Sequence, residues 1–162
     1  MHEFLTWLEG SGLGHLMRES GVWTYGVVNL AHILGLSALS GAVLVLDLRL
    51  MGCWARIPLA SLSEPTVRVA GVGLGVAALT GVCLLATKAT DYAGNPFLWW
   101  IKFPAIALGL VNIALLQRST AWKQHRIREL AATEQARLKW FGGASLLCWL
   151  VAITAGRMTA YW

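Results

Sequence analysis

A long uncharged stretch near the start of the chain constrains the fold more than any other feature. From Gly21 to Leu46 no residue carries a charge, and a helix of that length crosses a hydrocarbon layer of roughly 30 Å at about 1.5 Å per residue. Asp47 and Arg49 follow where such a helix would leave the lipid. The stretch therefore predicts a membrane-spanning helix and places the chain among integral membrane proteins.

Three further apolar runs have the same character. Together the runs predict spans at about residues 22–48, 69–88, 97–117 and 140–160. Only 13% of the residues are charged, whereas soluble domains carry about 25%, and this deficit is typical of a surface that faces lipid. The sequence thus predicts an all-α fold, a single membrane domain over residues 1–162 that forms a four-helix bundle in the lipid bilayer.

The segment before the first span has a different pattern. Phe4, Trp7 and Leu8 share one helical face, and Glu3 and Glu9 lie away from it. This pattern predicts a short N-terminal interfacial helix over residues 2–18, lying on the membrane surface. Its acidic character is unlike the basic start of a cleavable signal peptide.

Positive charges are concentrated in two of the three connectors between the spans. The rule that positive loops stay inside predicts that both connectors are cytoplasmic and that both termini are periplasmic, in a bacterial inner membrane. The net charge of +5 therefore reports topology, and we expect no nucleic-acid partner. The first and third connectors together contain nine positive residues, which are Arg49, Arg56, Arg68, Arg118, Lys123, Arg126, Arg128, Arg137 and Lys139.

Small residues recur at four-residue spacing in every predicted span. In lipid, helices associate by close approach of their backbones, which small residues permit. We therefore expect a tightly packed bundle. The motifs are Ala31 with Gly35, Ser37 with Gly41, Gly71 with Gly75, Ala77 with Gly81, Ala105 with Gly109, and the series Ala144, Cys148, Ala152 and Gly156.

Polar residues within the predicted spans are the candidates for function. Asn29 and His32 lie one turn apart on one helical face, and His32 is near the middle of the bilayer, where an ionisable residue is a functional hypothesis by default. Lys102 and Arg157 lie nearer the outer surface. Neutral imidazole binds haem iron, and the haem propionates need cations. The predicted haem b site comprises His32, Lys102, Arg157, Asn29 and Asn112, with His32 as the metal ligand.

Other interpretations stay open. Lys102 and Arg157 are shallow enough to extend to the surface, and His32 could be a neutral histidine bonded to a helix carbonyl, to Asn29 or to Asn112. The chain would then be a cofactor-free transporter of small molecules or ions, or an accessory subunit with a partner membrane subunit or a second copy. Enzymatic activity is left open. A coupled ion pump is disfavoured because no carboxylate is expected inside the membrane. Asp47, at the end of the first span, is predicted to pair with a cation such as Arg49 or Arg118.

One continuous pattern carries a family resemblance. The series W-x-Y-x(6)-H-x-x-G and then G-x(5)-D-L-R-L-x-G runs from Trp23 to Gly52, and Thr80–Gly81 and Lys102 follow it. The chain resembles a bacterial family of small four-helix membrane proteins known mainly as a domain of unknown function. In layout it is also distantly similar to the copper-resistance D-type membrane domain. The resemblance implies the fold and the membrane location but no activity.

Overall fold

The structure of the chain, a computed structural model, describes residues 2–162. Two short helices come first, and longer helices joined by turns and by one further short helix follow. The helices are α1 (His2–Glu9), α2 (Gly12–Glu19), α3 (Gly21–Met51), α4 (Leu59–Thr87), α5 (Phe103–Arg118), α6 (Thr120–Gln124) and α7 (Ala132–Met158). Short 3-10 turns at Thr90–Tyr92 and Thr159–Tyr161 and a π-helical segment at Phe97–Lys102, which leads into α5, complete the order.

Within residues 2–162, four helical segments are long and apolar enough to cross a membrane. They are Gly21–Met51, Leu59–Thr87, Phe97–Arg118 and Ala132–Tyr161. Residues 2–162 contain no strand. The predicted all-α class is therefore confirmed, and the chain is a multi-pass membrane protein.

Two of these helices extend well beyond the predicted spans. α4 begins at Leu59 and contains Pro65, and α7 begins at Ala132. A helix needs no apolar surface where it has left the lipid, so the polar residues at both starts are compatible with helix. The Glu134 carboxylate accepts a hydrogen bond from the Ala131 N–H at 3.0 Å and satisfies a donor that the first turn of α7 leaves unpaired.

The chain forms two compact units. The first comprises Met1–Leu39 and Gly71–Asn95, and the second comprises Ser40–Ala70 and Pro96–Trp162. α3 and α4 each contribute to both units. The assignment of the chain to a single membrane domain stays a prediction, and the units are described separately.

In the first unit, α3 and α4 cross with their backbones in contact. A Cβ built on Gly73 would lie 2.6 Å from the Leu39 nitrogen and 2.7 Å from the Gly35 carbonyl oxygen, so no side chain fits there. Gly35 was predicted as a packing residue and lies in this contact. The prediction for Gly71 and Gly75 is wrong, because among the described residues no heavy atom lies within 4 Å of a Cβ built on either one.

The N-terminal helices of the first unit pack against the end of α4 and the loop after it. Leu5 and Leu8 are buried, whereas Phe4 and Trp7 are 56% and 65% exposed. The segment is broken into α1 and α2 because Ser11 caps the second helix by accepting a hydrogen bond from the Gly14 N–H at 3.3 Å. The location of these helices at the membrane surface stays a prediction.

Polar contacts fix this N-terminal pair of helices. The Glu9 carboxylate accepts hydrogen bonds from the Thr90 hydroxyl at 2.6 Å and from the Thr90 N–H at 2.8 Å. The Arg18 guanidinium donates to the carbonyl oxygens of Thr87 at 3.3 Å and Ala86 at 3.5 Å. The hydroxyl and N–H of Thr90 lower the pKa of Glu9, since they bond to its ionised form.

In the second unit, α5 packs along α7. A Cβ built on Gly109 would lie 3.5 Å from the Trp149 indole, so the glycine lets this ring pack closely on α5. Beyond α5, the Ser119 hydroxyl accepts the Trp122 N–H at 3.2 Å and starts α6. An apolar cluster joins residues of α3, α5, α6 and α7. It comprises Leu50, Leu116, Ala121 and Leu138.

Candidate functional site

The structure places His32 between two helices of the first unit. Its Nδ1 lies 2.9 Å from the hydroxyl oxygen of Thr80 on α4. A Cβ built on Gly81 would lie 3.2 Å from His32 Cε1, so the missing side chain of Gly81 provides space for the ring. The imidazole is thus partly buried and has a defined position between α3 and α4.

The hydrogen bonds around Thr80 indicate the tautomer of His32. The Thr80 hydroxyl donates to the Val76 carbonyl oxygen at 2.6 Å, one turn back on α4. Because the hydroxyl has a single proton, the proton between His32 and Thr80 belongs to the imidazole, and Nδ1–H donates to the threonine oxygen. The lone pair of the neutral ring is then on Nε2.

The other predicted site residues have partners of their own or lie elsewhere. Asn112 donates through its side-chain amide to the Phe141 carbonyl oxygen at 3.0 Å and joins α5 to α7. Arg157 is exposed and donates to the Tyr161 hydroxyl at 2.7 Å, with its guanidinium 5.0 Å from the centre of that ring. Asn29 is partly buried on α3.

Lys102 lies against α7 in the second unit. A Cβ built on Gly156 would lie 3.4 Å from Lys102 Cε and 3.5 Å from Nζ, so the glycine leaves room for the lysine chain. Asn29 and His32 belong to the first unit, whereas Lys102, Asn112 and Arg157 belong to the second. The predicted cofactor site that combines them stays a prediction.

The predicted pairing of Asp47 with a cation is wrong. Asp47 is 3% exposed, and its carboxyl group accepts a hydrogen bond from the Ser145 hydroxyl on α7. Arg49 lies two residues further on, on another face of α3, and its Nε donates to the Ile57 carbonyl oxygen at 2.7 Å. No cation of residues 2–162 forms an ion pair with Asp47. A carboxyl group is therefore buried between α3 and α7, near the end of α3. The expectation that no carboxylate lies inside the membrane stays a prediction.

Sequence reasoning missed a second histidine contact. His125, in the connector before α7, is 9% exposed, and Ser63 on α4 is fully buried. Nδ1 of His125 bonds to the Trp122 carbonyl oxygen, and Nε2 lies 2.8 Å from the Ser63 hydroxyl. Nδ1–H is thus the donor to the carbonyl, and Nε2 accepts from the serine. The one-turn spacing of Trp122 and His125 predicts their ring contact, but nothing in the sequence points to Ser63.

Burial has a clear electrostatic effect on this histidine. It lowers the pKa of His125, because the charged imidazolium loses its water, and the nearby Arg126 guanidinium acts in the same direction. The hydrogen bond to the Trp122 carbonyl oxygen opposes the shift. His125 is therefore neutral at pH 7, as its bond with Ser63 requires.

The side chains in the described part of the chain do not form a metal cage. Among them, no group of three or more His, Cys, Asp or Glu residues could hold a metal ion. Haem differs from a bare ion because the porphyrin supplies four nitrogen ligands, so one protein ligand such as a histidine is enough to hold the iron.

Comparison with known proteins gives a family match. A family model described as a family of unknown function (DUF6644) matches residues 4–162. No curated protein and no solved structure matches the chain. The expected resemblance to a family of unknown function is thus confirmed, whereas the similarity in layout to the copper-resistance D-type membrane domain stays a prediction.

Proposed function

Since the chain belongs to this family of unknown function, we propose a function from its own residues: a small membrane protein that binds haem b through His32 and acts in electron transfer or sensing. The orientation of His32 carries this proposal. Histidines that bind a metal through one ring nitrogen almost always donate the other N–H to an oxygen that fixes the ring. The bond from Nδ1–H to Thr80, 2.9 Å long, has this form and leaves Nε2 as the basic nitrogen.

Absorbance of the full chain, purified in detergent from cells supplied with a haem precursor, tests the proposal. We expect a Soret band in the wild type and its loss in His32→Ala. His15→Ala is the matched control, since His15 is exposed on α2 and lies 3.5 Å from Glu19. A wild type without a Soret band after haem addition, or an unchanged band in His32→Ala, would contradict haem binding at this residue.

A second variant separates ligation from packing. Thr80→Val keeps the shape of the side chain but removes the oxygen that accepts from Nδ1–H. Loss of such a partner typically lowers metal affinity about 10- to 100-fold, so we expect weaker haem retention with the Soret band still present. Thr80→Ser keeps the oxygen and should keep the affinity. If the two variants retain haem equally, Thr80 has no role in orienting the ligand.

A cofactor-free transporter or accessory subunit is the second candidate function. It is favoured by the fact that His32 already has a protein partner, Thr80, and packs on Gly81, which is also what a purely structural histidine does. The colour of the purified protein separates the two classes.

Lys102 and Arg157 remain the proposed cations for the haem propionates, on the basis of the sequence.

The proposed location is the bacterial inner membrane, with both termini in the periplasm. Its support is the concentration of Lys and Arg in the first and third connectors. In this orientation His125 and Ser63 lie on the cytoplasmic side, and α1 and α2 on the periplasmic side.

A further inference from the structure

One face of α7 in the second unit carries a buried stripe of polar groups. Ser145 and Trp149 lie one turn apart and are 5% and 7% exposed. Asp47 of α3 meets this stripe at Ser145, whose hydroxyl donates to its carboxyl group. One turn before Ser145, the Phe141 carbonyl oxygen accepts from the Asn112 amide at 3.0 Å. Polar groups of α3, α5 and α7 therefore meet along one face of α7.

Two atoms of this stripe are buried and lack a hydrogen-bond partner within residues 2–162. They are Oδ2 of Asp47 and Nε1 of Trp149. Close helix packing surrounds both side chains. A Cβ built on Gly142 would lie 2.8 Å from the Asp47 carbonyl oxygen, so the backbones of α3 and α7 touch beside the carboxyl group.

No charged group on the surrounding helices forms an ion pair with Asp47 within residues 2–162. Arg49 donates to the Ile57 carbonyl oxygen at 2.7 Å, and the Lys139 chain reaches Gly52, with Nζ 3.8 Å from a Cβ built there. The charged groups of these helices include Arg49 on α3, Glu64 and Arg68 on α4, Arg118 on α5 and Lys139 on α7.

We propose that Asp47 is a proton-binding site within the membrane domain, whose Oδ2 holds a proton at neutral pH while α3 and α7 are packed. A hydronium ion of the solvent supplies the proton: one of its O–H bonds breaks and leaves water, an O–H bond forms at Oδ2, and the carboxyl charge changes from −1 to 0. The physical reason is that a buried carboxylate without a cation is strongly destabilising, whereas the neutral acid loses far less on burial. The remaining oxygen still accepts from Ser145.

Proton release then couples to helix packing. A carboxylate at position 47 needs water or a cation, and either one requires space that the contact at Gly142 denies. Loss of the proton therefore loosens the contact between α3 and α7. The site supplies a proton-coupled change of structure that is independent of haem binding at His32.

Isotope labelling gives a direct test, because Asp47 and Asp91 are the only aspartates in the sequence. With ¹³C at the aspartate side-chain carboxyls, infrared spectra of the full chain in lipid vesicles at neutral pH should show a protonated-acid carbonyl band that moves on labelling. Asp91 is exposed, so Asp91→Asn is the matched control and should keep the band. Asp47→Asn should lose it.

The Asp91→Asn variant makes the result independent of how well Asp47→Asn folds, because it leaves Asp47 as the only labelled group. If that variant shows carboxylate bands alone at neutral pH, Asp47 is ionised and the proposal is overturned. A protonated-acid band that appears only after sodium is replaced by choline would overturn it as well, since the site would then hold a metal cation. A labelled protonated-acid band that persists in Asp47→Asn would also overturn the proposal, because the proton would then be on another group.

Discussion

His125 lies in a charged connector, yet it stabilises the fold through its contact with Ser63 on α4. The connector around His125 contains several basic residues, yet the imidazole lies against Trp122 with ring centres 4.5 Å apart and accepts a hydrogen bond from Ser63. A charged imidazolium has a proton on both nitrogens and cannot accept this bond. The contact between the connector and α4 therefore depends on neutral His125.

This dependence predicts how stability changes with pH. Because burial holds the pKa of His125 below that of an unfolded histidine, about 6.5, the unfolded chain takes up the proton first as the pH falls. The stabilisation is complete above the unfolded pKa and is lost as the pH falls from there through the folded pKa. Thermal unfolding in detergent between neutral and mildly acidic pH should show a falling Tm in the wild type.

Ser63→Ala tests the same contact. It leaves Nε2 of a buried imidazole without its donor, which costs about 1–3 kcal/mol, and the Tm at neutral pH should fall accordingly. Its Tm should also depend less on pH than that of the wild type. Ser61→Ala, at an exposed position two residues earlier, is the control and should match the wild type. Equal Tm values for the two variants would show that the bond contributes no stability.

The residues that could be recognised from the sequence are those that stand out in lipid. His32 is conspicuous because it interrupts an uncharged span, and the structure gives it a defined partner. Ser145 is not conspicuous, since hydroxyl side chains in a span can bond to their own helix, as Thr80 does with Val76. Thr80 is part of the family pattern, but nothing in the sequence pairs it with His32. Asp47 was identified, but its burial depends on which face of α3 meets α7, and a single sequence does not contain that information.

At the scale of the helices, the crossing of α3 and α4 yields a prediction in which two neighbouring glycines behave in opposite ways. Gly73→Ala introduces a Cβ 2.6 Å from the Leu39 nitrogen, and the helices must move apart. Overpacking of this kind typically costs about 1–3 kcal/mol, so we expect a clearly lower Tm in detergent.

Gly75→Ala is the matched control on the same helix. Within the described residues no heavy atom lies within 4 Å of the new Cβ, and alanine favours helix over glycine by about 1 kcal/mol. The Tm should therefore stay unchanged or rise slightly. A Gly75→Ala variant that loses as much stability as Gly73→Ala would refute the crossing geometry.

These glycines also show which properties of the elements follow from the sequence. Run length and charge distribution locate the four spans because lipid excludes charge along the whole helix. The contact face does not follow, because any helix with several small residues offers more than one narrow face. On α4 the sequence favours Gly71 with Gly75 and Ala77 with Gly81, whereas the contact with α3 uses Gly73 and, one turn later, the buried Ala77.

At the scale of the whole molecule, the orientation across the membrane is the prediction to test. In a background without Cys53, Cys83 and Cys148, single cysteines at Ile127 and Gly94 can be labelled with a reagent that does not cross the membrane. Ile127 is 83% exposed and Gly94 is exposed, whereas its neighbour Asn95 is buried. In intact cells we expect Gly94→Cys to react and Ile127→Cys to react only after permeabilisation. The reverse pattern would show that the termini are cytoplasmic.

The contacts of Glu9 and Arg18 also set an order of assembly during synthesis. α1 and α2 leave the ribosome before α3 and α4, but Thr90, which satisfies the Glu9 carboxylate, is 81 residues further along the chain. The carbonyl groups that accept from Arg18 are 68 and 69 residues away. α1 and α2 can therefore dock only after α3 and α4 have both been formed, and until then the Glu9 carboxylate and the Arg18 guanidinium lack these partners. Their docking is a late event that reports completion of the first pair of spans.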